Sequence, residues 1–133
     1  MADAPTLYPT LLYTDAKSAI AQLEAAFGFT RTALYEAEDG TVLHAELAYG
    51  NGAVMVGTKG KGGDYAEAMT DAGPSGTYVL VTDLDAHCAR AREAGAEILV
   101  EPAEQDYGAR NYMARDREGN VWSFGTYAPR LPG

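Results

Sequence analysis

The sequence is poor in the side chains that most often carry chemistry. Its 133 residues include one cysteine, Cys88, and two histidines, His44 and His87. A lone cysteine excludes an intramolecular disulfide and a cysteine-based zinc site. Positive charge is scarce: ten Lys and Arg face nineteen Asp and Glu, for a net charge of −9. With no basic stripe to release counterions, neither nucleic acid nor an anionic membrane is an expected partner. No apolar run approaches the ~18 residues that a membrane-spanning helix needs. The opening MADAPTLYPT has no basic start and no apolar core, so it does not read as a signal peptide. The expected location is the cytoplasm. No Ser-His-Asp arrangement is evident, and the glycine-rich stretch 58–76 lacks the spacing and strand-to-helix context of a phosphate loop.

What is present is ordinary globular material. Hydrophobic residues make up 47% and charged residues 22%, enough apolar content for one domain with a real core. TLYPTLLYT (6–14) is apolar and β-prone, with Pro9 pointing to an edge or a bulge. Asp15 can cap the helix that follows. There Ala16, Ala19, Ile20, Leu23, Ala26 and Phe27 recur at helical spacing before the stop at Gly28. Strands are expected at 30–38, 42–49 and 53–57, with the Asn51-Gly52 pair turning the last hairpin. Residues 58–76 read as a linker with one helical turn around Ala66–Thr70.

The pattern then restarts. A strand at 77–82 leads to Asp83 as cap, and a helix follows at 84–95 with Leu84, Cys88 and Ala91 inward and Gly95 as stop. Further strands are expected at 96–101, 107–115 and 121–127. The landmarks repeat at a near-constant interval. Asp15 and Asp83, like Gly57 and Gly125, lie 68 apart, and Gly28 and Gly95 lie 67 apart. A duplicated unit accounts for this. The expectation is an α+β domain made of two βαβββ modules, 6–57 and 77–127. Side by side they would form one curved eight-stranded mixed sheet, with helices on the outer face and a concave cleft for a ligand.

The repeated module, the cap-and-helix DAKSAIAQLEAAFGF and the ending DREGNVWSFGTY resemble the vicinal oxygen chelate superfamily. That group includes glyoxalase I, extradiol dioxygenases and bleomycin-resistance binding proteins. HAELAYGNGAVMVG and DREGNVWSFG are most similar to the glyoxalase/bleomycin-resistance subgroup often called PhnB-like. The resemblance covers residues 6–127. For an enzyme it implies His or Glu at four points, early in the first strand and in the last strand of each module. Those points fall on Tyr8, on Gly76 or Thr77, on Met55 or Val56, and on Ser123. None is His, Asp or Glu, so the resemblance implies a dismantled metal site. It also implies a homodimer, with modules paired within or between chains.

One strand offers an alternative. His44 and Glu46 alternate, so both side chains point the same way, and Leu43 and Leu47 are expected to point to the helices. Such a pair could start a divalent-metal site, or simply be a hydrogen-bonded polar pair in the cleft. The interval of 68 matches Thr10 with Tyr78, His44 with Tyr112 and Val42 with Arg110. The expected lining is Tyr8, Thr10, His44, Glu46, Met55, Tyr78, Arg110, Tyr112 and Ser123, with Trp122 and Phe124 turned into the core. Aromatic walls with a few polar groups suit a medium-sized organic ligand. Arg110 could pair with Glu46 or meet a ligand anion. Residues 58–76 could act as a lid or only join the modules.

Two main readings follow. One is a metal-independent binder of a small aromatic or cationic compound, similar to bleomycin-resistance proteins, with no cofactor and no catalytic residue. The alternative is a divalent-metal lyase, isomerase or dioxygenase, with His44 or Glu46 as base or ligand. A partner-binding module is a third.

Overall fold

A computed structural model describes residues 5–61, 63–105 and 108–132. Module one contains β1 (Thr10–Tyr13), α1 (Ala16–Phe27), β2 (Thr30–Glu36), β3 (Val42–Tyr49) and β4 (Gly52–Thr58). A short helix, α2 (Asp64–Ala68), lies in the connection. Module two contains β5 (Gly76–Leu80), α3 (Leu84–Glu93), β6 (Glu97–Glu104), β7 (Arg110–Arg115) and β8 (Val121–Gly125). The start of the strand expected at 107–115 lies outside the described residues. β1 begins only after Pro9, which has no N–H, although its carbonyl still accepts from Met55 N at 2.9 Å. Pro102 is tolerated inside β6 because β6 is an edge strand.

Both long helices begin and end as their sequences dictate. Asp15 accepts from Ser18 N at 3.1 Å and Asp83 from Ala86 N at 3.1 Å, satisfying donors that a helix start leaves unpaired. Gly28 ends α1 with φ 80°, a left-handed conformation that suits glycine. The apolar stripe of α1 and the shorter one of α3 are both buried.

The strand order is β1-β4-β3-β2 in the first sheet and β5-β8-β7-β6 in the second. These are two separate four-stranded sheets. Among the described residues the expected single curved eight-stranded sheet, enclosing one concave cleft under outer helices, is not formed. Instead the helix-bearing sides of both sheets share one core, within which α1 packs against α3. Phe27 and Phe29 of module one lie against Trp122 of module two at ring distances of 6.0 and 5.4 Å.

Side chains rather than a ladder join the modules. Glu118, in the turn before β8, accepts from Thr14 N and Asp15 N at 2.7 and 2.8 Å. Tyr13 donates to the buried Asp116 carboxylate at 2.7 Å. Burial and that carboxylate together push the Tyr13 phenol well above its ordinary pKa. The hairpin pattern specifies pairing inside each sheet. It contains nothing that would pair the short β1 with β5.

Candidate functional site

The side of the first sheet turned away from the core carries five of the nine expected lining residues. Met55 pairs with Thr10 on one side and with Glu46 on the other, so the three form a row across β1, β4 and β3. Tyr8 joins Glu46, Ala53 and Met55 around a cavity of about 310 Å³. A second cavity of about 310 Å³ also touches Met55 and is lined by Thr10, Leu12, Leu43, His44 and Tyr65 among others.

His44 Nε2 and Glu46 Oε2 are 2.8 Å apart, and Tyr35 stacks on the His44 ring at 6.1 Å. Leu43 departs from the expectation. It is 44% exposed and lines the second cavity, whereas Leu47 is fully buried. The cause is a bulge: the β2–β3 register jumps between Tyr35 and Glu36, which pair with His44 and Val42. The extra residue turns Leu43 outward beside His44.

The linker closes one end of this face. α2 runs from Asp64 to Ala68, two residues earlier than the turn expected at 66–70. Ala66 is buried, and the Tyr65 and Thr10 hydroxyls are hydrogen-bonded.

The other expected residues lie elsewhere. Tyr78 and Ser123 form an in-register pair on the outer face of the second sheet, where Ser123 also pairs with Met113. The Tyr78 hydroxyl donates to Tyr127 O at 2.6 Å. Asn111 donates to Ser123 Oγ at 3.4 Å and accepts from Gln105 at 2.5 Å.

Tyr112 and Arg110 do not share that face. Tyr112 is fully buried on the helix side, its hydroxyl donating to His87 Nδ1 at 2.5 Å. His87 Nε2–H in turn donates to Phe27 O at 2.9 Å, and burial lowers the His87 pKa. Arg110 pairs with Asp85 of α3 at 3.1 Å rather than with Glu46. The difference has one structural source. Met55 lies nine residues beyond its partner Glu46, whereas Ser123 lies ten beyond Met113. The β7–β8 connection is one residue longer, so β3 maps onto β7 at 67, not 68. A one-residue slip exchanges the faces of a strand. Asn111 and Met113 are the outward residues that the interval of 68 passed over. The signal that finds them is the Gly28–Gly95 spacing of 67.

Residues 7–124 match the family model of the Glyoxalase/Bleomycin resistance protein/Dioxygenase superfamily. The chain belongs to that superfamily. It is 32% identical over 125 residues to the uncharacterized protein Rv0887c of Mycobacterium tuberculosis, covering 91% of this chain and 74% of that protein. Its structure is similar to the crystal structure of TioX from Micromonospora sp. ML1. The identity is 33%, the coverage 96% of this chain and 100% of that one, and the TM-score 0.77. A superfamily member from Sphaerobacter thermophilus shares the fold at 16% identity and TM-score 0.70, covering 92% of this chain and 97% of that one.

Several enzymes of the vicinal oxygen chelate superfamily hold a divalent metal, so the donors at the corresponding positions matter. Tyr8, Met55 and Ser123 offer a phenol, a thioether and a hydroxyl, and Gly76 offers no side chain. His44 and Glu46 are bonded to each other. Among the described residues no group of three or more His, Cys, Asp and Glu is gathered to hold an ion. This donor set does not fit a hard divalent cation. Among the described residues, no helix is long and apolar enough to cross a membrane.

Proposed function

We propose that the protein binds a small aromatic or cationic organic compound without a metal, sequestering or carrying it in the manner of the bleomycin-resistance members of its superfamily. What supports this reading is the cavity in which Tyr8, Met55 and the Glu46 carboxylate meet. A phenol and a thioether present apolar, polarizable surface to a flat ring, and the carboxylate attracts a cation. The net charge of −9 adds a field of the same sense. The guest would enter the outer face of the first sheet, with His44 and Thr10 at the end closed by α2.

The active form on this reading is a homodimer. Each outer sheet face is half-exposed in one chain, and a second copy would turn an open wall into a cleft. Tyr78 and Ser123 would then act from the second sheet.

Berberine, a planar aromatic cation whose fluorescence rises in apolar surroundings, tests the reading. It should bind the wild-type protein at one site per chain, with or without chelator. Glu46→Gln should weaken binding by about tenfold, the scale of one lost charge-assisted contact. Failure of the wild type to bind berberine would overturn this reading of the site. So would a requirement for stoichiometric nickel, zinc, iron or manganese. Native mass spectrometry reads the subunit number directly, and a monomer would remove the dimer.

A further inference from the structure

A third cavity, of about 350 Å³, lies where the modules meet. On the module-one side it is bounded by Leu7, Pro9, Phe29, Tyr49 and the turn to Val54, and on the other by β5 from Thr77 to Leu80. We infer that this junction slot is a binding compartment for an uncharged, flat aromatic group.

Three observations carry the inference. The first is chemical: among the described residues no Asp, Glu, Lys, Arg or His lines the slot, in a chain where 22% of residues are charged. An ionic group would lose its hydration there without gaining a partner. The hydrogen-bonding side chains available are neutral, notably Asn51 at the β3–β4 turn and Thr77.

The second is rigidity. Phe29 is only 6% exposed. Its ring is held by Tyr49 at 5.6 Å and, edge-on, by Trp122 at 5.4 Å. The aromatic floor is therefore set before a guest arrives, which lowers the ordering cost of binding. A floor of ring faces and edges favours a planar aromatic guest.

The third is continuity. Ala53 lines both this slot and the cavity that holds Tyr8 and Glu46. A single guest could place a neutral ring in the slot and a cationic group beside Glu46. Only this joint use rests on the function proposed above; the slot itself stands on its own lining. The volume is within the range of small-molecule sites.

The probe is N-phenyl-1-naphthylamine, a neutral aromatic that brightens on entering apolar sites, titrated into the full chain. The wild type should bind it. Leu80→Glu places a charge at the wall from a half-exposed position, so folding should survive. Ala53→Trp fills the passage. Each should weaken binding by about tenfold or more, while Glu38→Gln, in an exposed turn outside the slot lining, should leave it within about twofold. No binding by the wild type, or unchanged affinity in both Leu80→Glu and Ala53→Trp, would overturn the slot. If the naphthylamine binds as expected and berberine does not, the slot stands and the cationic reading of Glu46 falls.

Discussion

The two modules share a plan and differ where they face outward. Thr10, Met55 and Glu46 form the row across the first sheet, and Tyr78, Ser123 and Met113 form the matching row across the second. One row has a carboxylate paired with a histidine, and the other is uncharged. Inward positions remain apolar in both, because both sheets bury them in one core. A duplicated scaffold can change its outward residues without disturbing its packing. On the function proposed above, charge-based recognition belongs to module one.

The turns before the last strands differ as well. Tyr49 of module one lies against Phe29 and His87, beside an open slot. Its counterpart at an interval of 67 is Asp116, which is buried and accepts from Tyr13, Trp122, Asn120 and Glu118. One junction is locked by a carboxylate, and the other leaves room for a guest.

The largest effect is expected from breaking the lock. Asp116→Ala strands the Tyr13 hydroxyl and the Trp122 indole N–H in the core. It should cost about 3 kcal/mol or more, read by urea unfolding. A loss below about 1 kcal/mol would mean that the modules are held by apolar packing alone.

The equivalent glycines give a finer comparison. A Cβ on Gly125 would lie 2.7 Å from the Tyr78 hydroxyl and 3.0 Å from Asn111 Cβ. On Gly57 the contacts would be looser, the movable tip of Leu12 at 3.1 Å and Leu43 O at 3.3 Å. Gly125→Ala should therefore destabilise by about 1–3 kcal/mol, and Gly57→Ala by less. Equal melting temperatures for the two variants would break this ranking.

A pH effect should come from His87, which touches both modules. Its folded pKa is lowered by burial, so the unfolded chain takes up a proton first. The stability contribution is complete above about pH 6.5, the ordinary histidine value. It declines as pH falls from there toward the folded value. His87→Gln keeps a donor for Phe27 O and an acceptor for Tyr112, and should flatten this decline. Parallel melting curves for wild type and variant from neutral to mildly acidic pH would exclude His87 as the source.

The smallest effect on stability should come from making the outward rows alike. Glu46→Met breaks only a half-exposed pair with His44 and should shift stability by about 0.5 kcal/mol or less. Berberine affinity should nevertheless fall. Retained affinity would move recognition away from the feature that separates the modules.

Much of this was legible in residue order. The alternation of β1 and β8 turned Leu11, Tyr13, Trp122 and Phe124 inward, and Asp15 and Asp83 marked the helix starts. The faces of β3 and β7 were harder to read. A bulge exposed Leu43, and one added residue in a turn exchanged Tyr112 for Asn111 and Met113 on the outer face. Strand side chains alternate with a period of two, so a single insertion reverses an assignment that apolar content alone does not correct. DREGN reads as a plain turn, and nothing local shows that Asp116 is buried beneath Tyr13, 103 residues away in sequence.

The sequence by itself determined two repeated modules, their capped helices, their hairpins and a scarcity of metal-binding side chains. These depend on interactions between residues close in the chain, or on which residues exist at all. Only the tertiary structure decided that the sheets stay separate around one core, that Asp116 is buried beneath Tyr13, and that an uncharged slot opens at the junction. Each of these depends on contacts between distant segments, whose geometry is fixed by packing across the whole core rather than by local pattern.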